Sequence, residues 1–314
     1  MTEVRALLDL DDAARLRDAL GSADFTVPGI AERVGPAAVA GVRRRDFRAL
    51  LRATADRDRL GTLLRLFAAD QTEARVDVEA ALAPLSVETA LATGLVEPHG
   101  GGLHAGIDLD VYRPDESGPD WWVLSDLDAD ARPGVLRPDH VLGIGSAATT
   151  LAGATIRSPV ESALDIGTGC GVQALHLGTH ARSVTATDVS LRSLRLAATT
   201  AALNGLRWEL LAGDLLKPVA GRRFDLVVSN PPFVVGPRST RYAYRDSGRV
   251  GDAMCAELAA GAPDVLTEGG VLQFLANWLH LSGEDWRDRV GRWVEGTGCD
   301  AWIIQREVTA RRST

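Results

Sequence analysis

Lysine is nearly absent from this 314-residue chain: Lys217 is the only one, so 33 of the 34 basic residues are arginine. Beside abundant alanine and glycine this reads as GC-rich coding bias, and arginine excess alone does not signal phosphate recognition. Basic charge is also outweighed, with 34 basic against 42 acidic residues and a net charge of −8, so the chain lacks the field of a polyelectrolyte binder. Cysteine is scarce. Cys170, Cys255 and Cys299 are an odd count without a CxxC pair, which excludes a disulfide framework or a cysteine zinc site and suits a reducing compartment. The longest weakly polar stretch, Val141 to Ile156, is broken by glycine and serine and is too short to span a membrane. The first residues carry acids and no apolar core, so no secretory signal is expected. Six scattered histidines (His99, His104, His140, His176, His180 and His280) form no ligand cluster, and neither a metal nor a catalytic histidine is expected. A cytoplasmic protein without membrane contact is the resulting expectation.

What is present is ordinary globular composition, 46% hydrophobic and 24% charged, at a length that suggests about two domains. Residues 1–150 hold 16 basic and 25 acidic residues; residues 151–314 hold 18 and 17. The texture changes at the same place. Early on, Phe47, Leu50 and Leu51 share a face, as do Leu60, Leu63, Leu64 and Phe67, at the spacing of amphipathic helices. Short helices are predicted over Val76–Leu82 and Val87–Thr93, then, after Gly100-Gly101-Gly102, one half-buried strand from Leu103 to Tyr112 and another at Trp121–Leu124. Helices followed by a glycine-turned hairpin suggest a winged helix. Its third helix, Ser86 to Gly94, contains Glu88 and no cation, unlike a helix that reads a DNA groove. Residues 1–135 are therefore expected to form a mainly helical, winged-helix-like domain for substrate docking or dimerisation. The cluster Arg43-Arg44-Arg45 with Arg48 and Arg52 reads as a solvated helix face.

Residues 136–314 alternate strand and helix. Ala163–Ile166, Val184–Thr187, Glu209–Leu211, Leu226–Ser229 and Val271–Leu275 read as short buried strands of a doubly wound α/β sheet. Three strand ends carry chemistry. After Ala163-Leu164-Asp165-Ile166 comes Gly167-Thr168-Gly169-Cys170-Gly171, a turn whose glycines permit positive φ and close ligand approach, followed by the free N–H groups of a helix start. A dinucleotide fingerprint would need a third glycine where Val172 stands. Asp188, ending Val184-Thr185-Ala186-Thr187, can accept hydrogen bonds from both hydroxyls of a ribose. Asp214, after Gly213, could meet an adenine amino group.

The fourth strand ends in Asn230-Pro231-Pro232-Phe233. Two prolines cannot donate to a ladder and hold the backbone extended. The Asn230 side-chain oxygen and the following carbonyls are left as acceptors where open α/β sheets bind ligands. Phe233 adds a flat apolar face. Together they suit a planar NH2 group, its hydrogens held and its ring stacked.

With these motifs in order, residues 140–310 resemble the class I S-adenosylmethionine-dependent methyltransferases, in the small group with NPP[YF] that includes the HemK-like glutamine methyltransferases and several RNA and DNA base N-methyltransferases. The resemblance implies S-adenosylmethionine as cofactor, bound by Asp165, Gly167, Thr168, Gly169, Gly171, Asp188, Asp214 and Asn230. It further implies that Asn230, Pro231, Pro232 and Phe233 hold the acceptor nitrogen. It also implies a seventh, antiparallel strand, for which no residues remain after a helix at Trp286–Trp293 and a strand at Ala301–Val308. An open sheet edge of that kind favours association, and the oligomeric state is left open.

Arg238, Arg241, Arg245 and Arg249 interleave with Tyr242 and Tyr244 beyond Phe233, where they could contact a nucleic acid backbone and a stacked base, or clamp an acidic protein loop. Because the acidic first half disfavours an extended RNA surface, a protein glutamine, as in a translation release factor, is expected first. An exocyclic amine of a base in structured RNA or in DNA (adenine N6 or guanine N2) comes second. A catalytically inactive methyltransferase-fold binding protein is the competing class.

Overall fold

The computed structural model describes residues 4–42, 44–128, 136–232 and 249–308. Its N-terminal part is helical: α1 (Leu10–Ser22), α2 (Val27–Val42), α3 (Arg48–Ala53), α4 (Arg59–Leu63) running into a π-helical turn (Leu64–Ala68), α5 (Arg75–Leu82) and α6 (Val87–Thr93). The starts are set by side chains that satisfy free N–H groups: Asp9 accepts from Asp12 at 2.8 Å, Asp58 from Gly61 at 2.6 Å and Ser86 from Thr89 at 3.1 Å. Gly94, in the left-handed conformation at φ 75°, ends α6.

A hairpin follows, β1 (Val96–His99) paired antiparallel with β2 (Gly102–Ala105), and a bridge from Glu73 to Leu103 joins it to the chain before α5. Helices α1 to α6 give the expected mainly helical N-terminal part, and this hairpin follows them in the chain. The expected third helix, α6, itself carries no cation, and its exposed Glu88 pairs with Arg75 of α5 at 2.5 Å. The single strand expected from Leu103 to Tyr112 is two strands instead. The chain bends at Gly106, where a Cβ would stand 2.3 Å from the Gly94 carbonyl oxygen. It then continues as β3 (Asp108–Tyr112), which pairs with β4 (Trp121–Ser125) rather than with the hairpin. Alternation of apolar residues runs through the bend and hides it.

The second part comprises α7 (Ser146–Ala154), β5 (Val160–Ile166), α8 (Val172–Leu177), β6 (Ala181–Asp188), α9 (Leu191–Leu203), β7 (Glu209–Ala212), β8 (Phe224–Ser229), α10 (Ala253–Ala260), α11 (Ala262–Val265), β9 (Leu266–Phe274) and α12 (Trp286–Val294). Its five strands form one parallel sheet in the order β7-β6-β5-β8-β9. The order reverses between β5 and β8, and ligands of such sheets bind in the crevice outside the strand ends at that point. The strand expected at Ala301–Val308 is not formed. A strand needs a neighbour for its ladder, and this segment pairs with none among the described residues; Trp302 is 94% exposed. A cleft of about 2470 Å³ runs along the free edge of β9 and this segment, but Gly167, Asp188 and Asn230 are not among its walls.

The two parts share one apolar core, in which Cys170, Val172, Leu175, Leu196 and Leu203 pack with the N-terminal helices. Polar contacts seal the seam. The outer edge of β4 is satisfied by side chains of α9: Trp122 N–H donates to Asn204 Oδ1 at 3.0 Å, the Asn204 amide returns a bond to the Trp122 carbonyl at 2.7 Å, and Leu124 N–H donates to Thr200 Oγ1 at 3.2 Å. That converts an exposed strand edge into an interface. Asp126, just beyond β4, is gripped by Arg192 in the first turn of α9 and accepts from Val141 N–H at 2.9 Å. On the other side, Arg157 donates to Nδ1 of the buried His176 at 3.2 Å, leaving Nε2–H to bond Tyr112 Oη at 2.9 Å. No helix among the described residues is long and apolar enough to cross a membrane.

Candidate active site

Four strand ends line up at the carboxyl edge of the sheet, carrying Asp214, Asp188, the glycine turn and Asn230. Pairing of Ile166 with Ser229 puts Asn230 beside Gly167, and the Ser229 hydroxyl donates to the Ile166 carbonyl at 2.8 Å, clamping the two ends together. Pairing of Asp188 with Ala212 brings the Asp214 turn to the other flank.

The glycine turn has the conformation its sequence requires. Gly167, Gly169 and Gly171 have φ of 72°, 56° and 93°, a region that penalises any Cβ. The N–H groups of Gly167 and Thr168 both donate to the Thr187 carbonyl at 2.9 Å. Gly169 N–H donates to Asp188 Oδ2 at 3.0 Å, and Asp188 Oδ1 accepts from Ser190 N–H at 2.8 Å. A Cβ at Gly167 or Gly169 would meet nothing within 4 Å, whereas one at Gly171 would strike Trp208 at 2.7 Å. The first two glycines therefore face open space and the third permits packing. Thr168 serves the turn from within: its hydroxyl donates to Asp165 Oδ2 at 2.6 Å.

Asp165 is fully buried, and its Oδ1 has no hydrogen-bond partner within normal bonding distance among the described residues. Burial pushes its carboxyl up to about 7, with the nearby Asp188 adding in the same direction and Thr168 opposing. Burial likewise raises Asp188, against hydrogen bonds from Ser190 and Gly169. Among the described residues, Thr187 Oγ1 and Asn230 Oδ1 are enclosed without partners too. Buried polar atoms without partners are rare in folded proteins and call for an explanation such as a ligand. Here three of them gather around one turn.

Asp214 is differently placed. Its Oδ2 accepts from Lys217 Nζ at 2.8 Å, and both oxygens accept from Arg249 Nη2, at 3.2 and 3.1 Å. These cations, Lys217 foremost, hold its carboxyl below the usual range. Pro231 is buried and Pro232 half-buried at the end of β8. Phe233, Arg238, Arg241, Tyr242, Tyr244 and Arg245 lie outside the described residues. Sequence reasoning missed the Ser229 clamp, the Thr187 carbonyl and the pairing of Asp214 with Arg249. Only the last left a signal, a basic residue at the end of an arginine-rich segment.

A cation fits this arrangement: two buried carboxylates, a backbone cradle and free acceptor oxygens suit the positively charged methionine end of S-adenosylmethionine. The strand order, the glycine turn and the Asn-Pro-Pro end match the pattern of class I S-adenosylmethionine-dependent methyltransferases. The comparisons agree. Residues 144–285 match the methyltransferase small domain, and residues 22–106 match a domain of unknown function (DUF7059). Among curated relatives, the chain is 35% identical over 156 residues to the ribosomal RNA small subunit methyltransferase C of Alcanivorax borkumensis, covering 49% of this chain and 44% of the relative. It is 32% identical over 170 residues to the Salmonella newport protein of the same name, covering 52% and 45%. The chain thus spans less than half the length of these relatives. A solved structure of the T. thermophilus 16S rRNA N2 G1207 methyltransferase (RsmC) with AdoMet and guanosine is 21% identical at a TM-score of 0.41, covering 61% of this chain and 52% of that one.

Proposed function

We propose that this protein methylates the exocyclic amine of a base in structured RNA of the small ribosomal subunit. The observation that carries the reading is the enclosed, unpartnered Asn230 Oδ1 beside the glycine turn. The named activity of the curated relatives supports it and puts a nucleic acid ahead of the protein glutamine first expected from the sequence. The acidic first half, which had favoured a protein, carries little weight once the N-terminal unit is seen packed on α8 and α9.

Asp165, the glycine turn and Asp188 would hold the cofactor, which supplies a methyl group made electrophilic by its sulfonium. An exocyclic amine is a poor nucleophile because its lone pair is conjugated with the ring. Asn230 Oδ1 and the Pro231 carbonyl, accepting its two N–H bonds, favour pyramidalisation and stabilise the charge that grows on nitrogen. Fixed orientation supplies much of the remaining acceleration. The methylated nitrogen is acidic and loses its proton to water, so no strong base is needed. A ribosomal RNA substrate is consistent with a cytoplasmic protein.

The test is to incubate the protein with methyl-labelled S-adenosylmethionine and small ribosomal subunits from a strain lacking it, followed by mass spectrometry of digested nucleosides and of subunit proteins. Label in N2-methylguanosine or N6-methyladenosine supports the reading and distinguishes the two bases. Label confined to a protein glutamine overturns it.

A further inference from the structure

We propose that Arg249 is a positioning residue that fastens the start of α10 to the Asp214 turn, so that cofactor binding at that turn is felt at α10. The inference rests on the methyltransferase reading above and adds to it a residue that couples the cofactor side to α10.

Arg249 joins two carboxylates from separate elements. Its Nη2 bonds both oxygens of Asp214, and it also holds Glu257 of α10, through Nε at 2.5 Å and Nη2 at 3.1 Å. A planar guanidinium can satisfy two carboxylates at fixed angles, which a lysine ammonium does not reproduce. The Asp214 turn is the rigid member. Leu215 adopts a φ of 49°, unusual for a side chain of this kind, and is buried in the apolar cluster around Val219 and Leu258. Leu216 packs where a Cβ on Gly261 would stand 2.4 Å from its Cδ1. The backbone thus fixes the Asp214 carboxylate, and Arg249 must come to it. Through Gly213, whose N–H donates to the Asp188 carbonyl at 3.0 Å, the same turn is joined to the end of β6. A ligand that orders Asp188 and Asp214 therefore orders Arg249, and with it the beginning of α10. Asp214 Oδ1 keeps an acceptor position beyond its bond to Arg249, so an adenine amine would add to this network without dissolving it.

Hydrogen exchange of peptides spanning residues 249–260, with and without S-adenosylmethionine, tests the proposal in the full chain alongside calorimetry of cofactor binding. In the wild type the cofactor should slow exchange there by about tenfold. R249Q should still bind cofactor yet lose that slowing, and R249K, with charge but no fork, should recover part of it. E257Q, which loosens the guanidinium from the α10 side, should behave like R249K and carries the test should R249Q fold poorly. Equal slowing in wild type and R249Q, or none in the wild type, overturns the role of Arg249. Absence of cofactor binding by the wild type overturns the methyltransferase reading itself, which is a distinguishable result.

Discussion

Asp188 accepts the backbone N–H of Gly169 at 3.0 Å, so the acid that ends β6 holds the turn that follows β5. Its other oxygen takes Ser190 N–H. In Asp188→Asn, one side-chain oxygen would face two N–H donors, and the amide would turn a donor toward one of them. We expect the dissociation constant for S-adenosylmethionine to rise at least about tenfold, equivalent to about 1.4 kcal/mol, as read by calorimetry. An unchanged constant would mean that Asp188 is not part of the cofactor site.

The raised Asp165 carboxyl predicts pH-dependent cofactor binding. With its carboxyl pushed up to about 7 by burial, it is substantially protonated at pH 6 in the free protein. A cationic ligand stabilises the ionised form and lowers that value, so binding releases a proton on the acid side of 7. Affinity should increase from pH 6 to pH 7.5 and then level off, with proton release detectable by calorimetry in buffers of different ionisation enthalpy. Asp165→Asn should flatten the profile. In the free protein the sign for stability is opposite: the raised carboxyl costs stability as pH climbs from about 4 to about 7.

His176, at the seam between the two parts, is expected to make stability fall in acid. Burial, with Arg157 adding its charge, lowers its imidazole to about 4, against about 6.5 in an unfolded chain. The unfolded state therefore takes up a proton that the folded state refuses. The stabilisation is complete above pH 6.5 and is lost as pH falls toward 4. Urea midpoints should fall between pH 7 and pH 5, and His176→Gln should reduce that fall while lowering the midpoint at pH 7 through the altered bonds to Tyr112 and Arg157. A pH dependence identical in the two proteins would remove His176 from the account.

Much of this was legible in the residues. Short apolar runs ending in Asp165, Asp188 and Asn230 located the strands, because a doubly covered parallel sheet leaves little room for polar residues until its edge. The glycine turn and the two prolines then marked where ligands approach. Pro84 and Gly94 bracketed α6. The errors came where local pattern and tertiary partner diverge. Leu103 to Tyr112 alternates without interruption, yet Gly106 hands the chain from one partner strand to another. Ala301–Val308 has strand composition but no neighbouring strand to pair with. The roles of Asn204 and Thr200, which close the edge of β4 from a helix, belong to a docking that no local window contains.

The most direct test is single-turnover methyl transfer to small-subunit RNA by Asn230→Ala, with cofactor affinity measured in parallel. The acceptor oxygen removed is enclosed and has no partner among the described residues, so the account predicts a fall in rate of about 10²-fold or more with a much smaller loss of cofactor affinity. A variant that transfers methyl groups at the wild-type rate would contradict it.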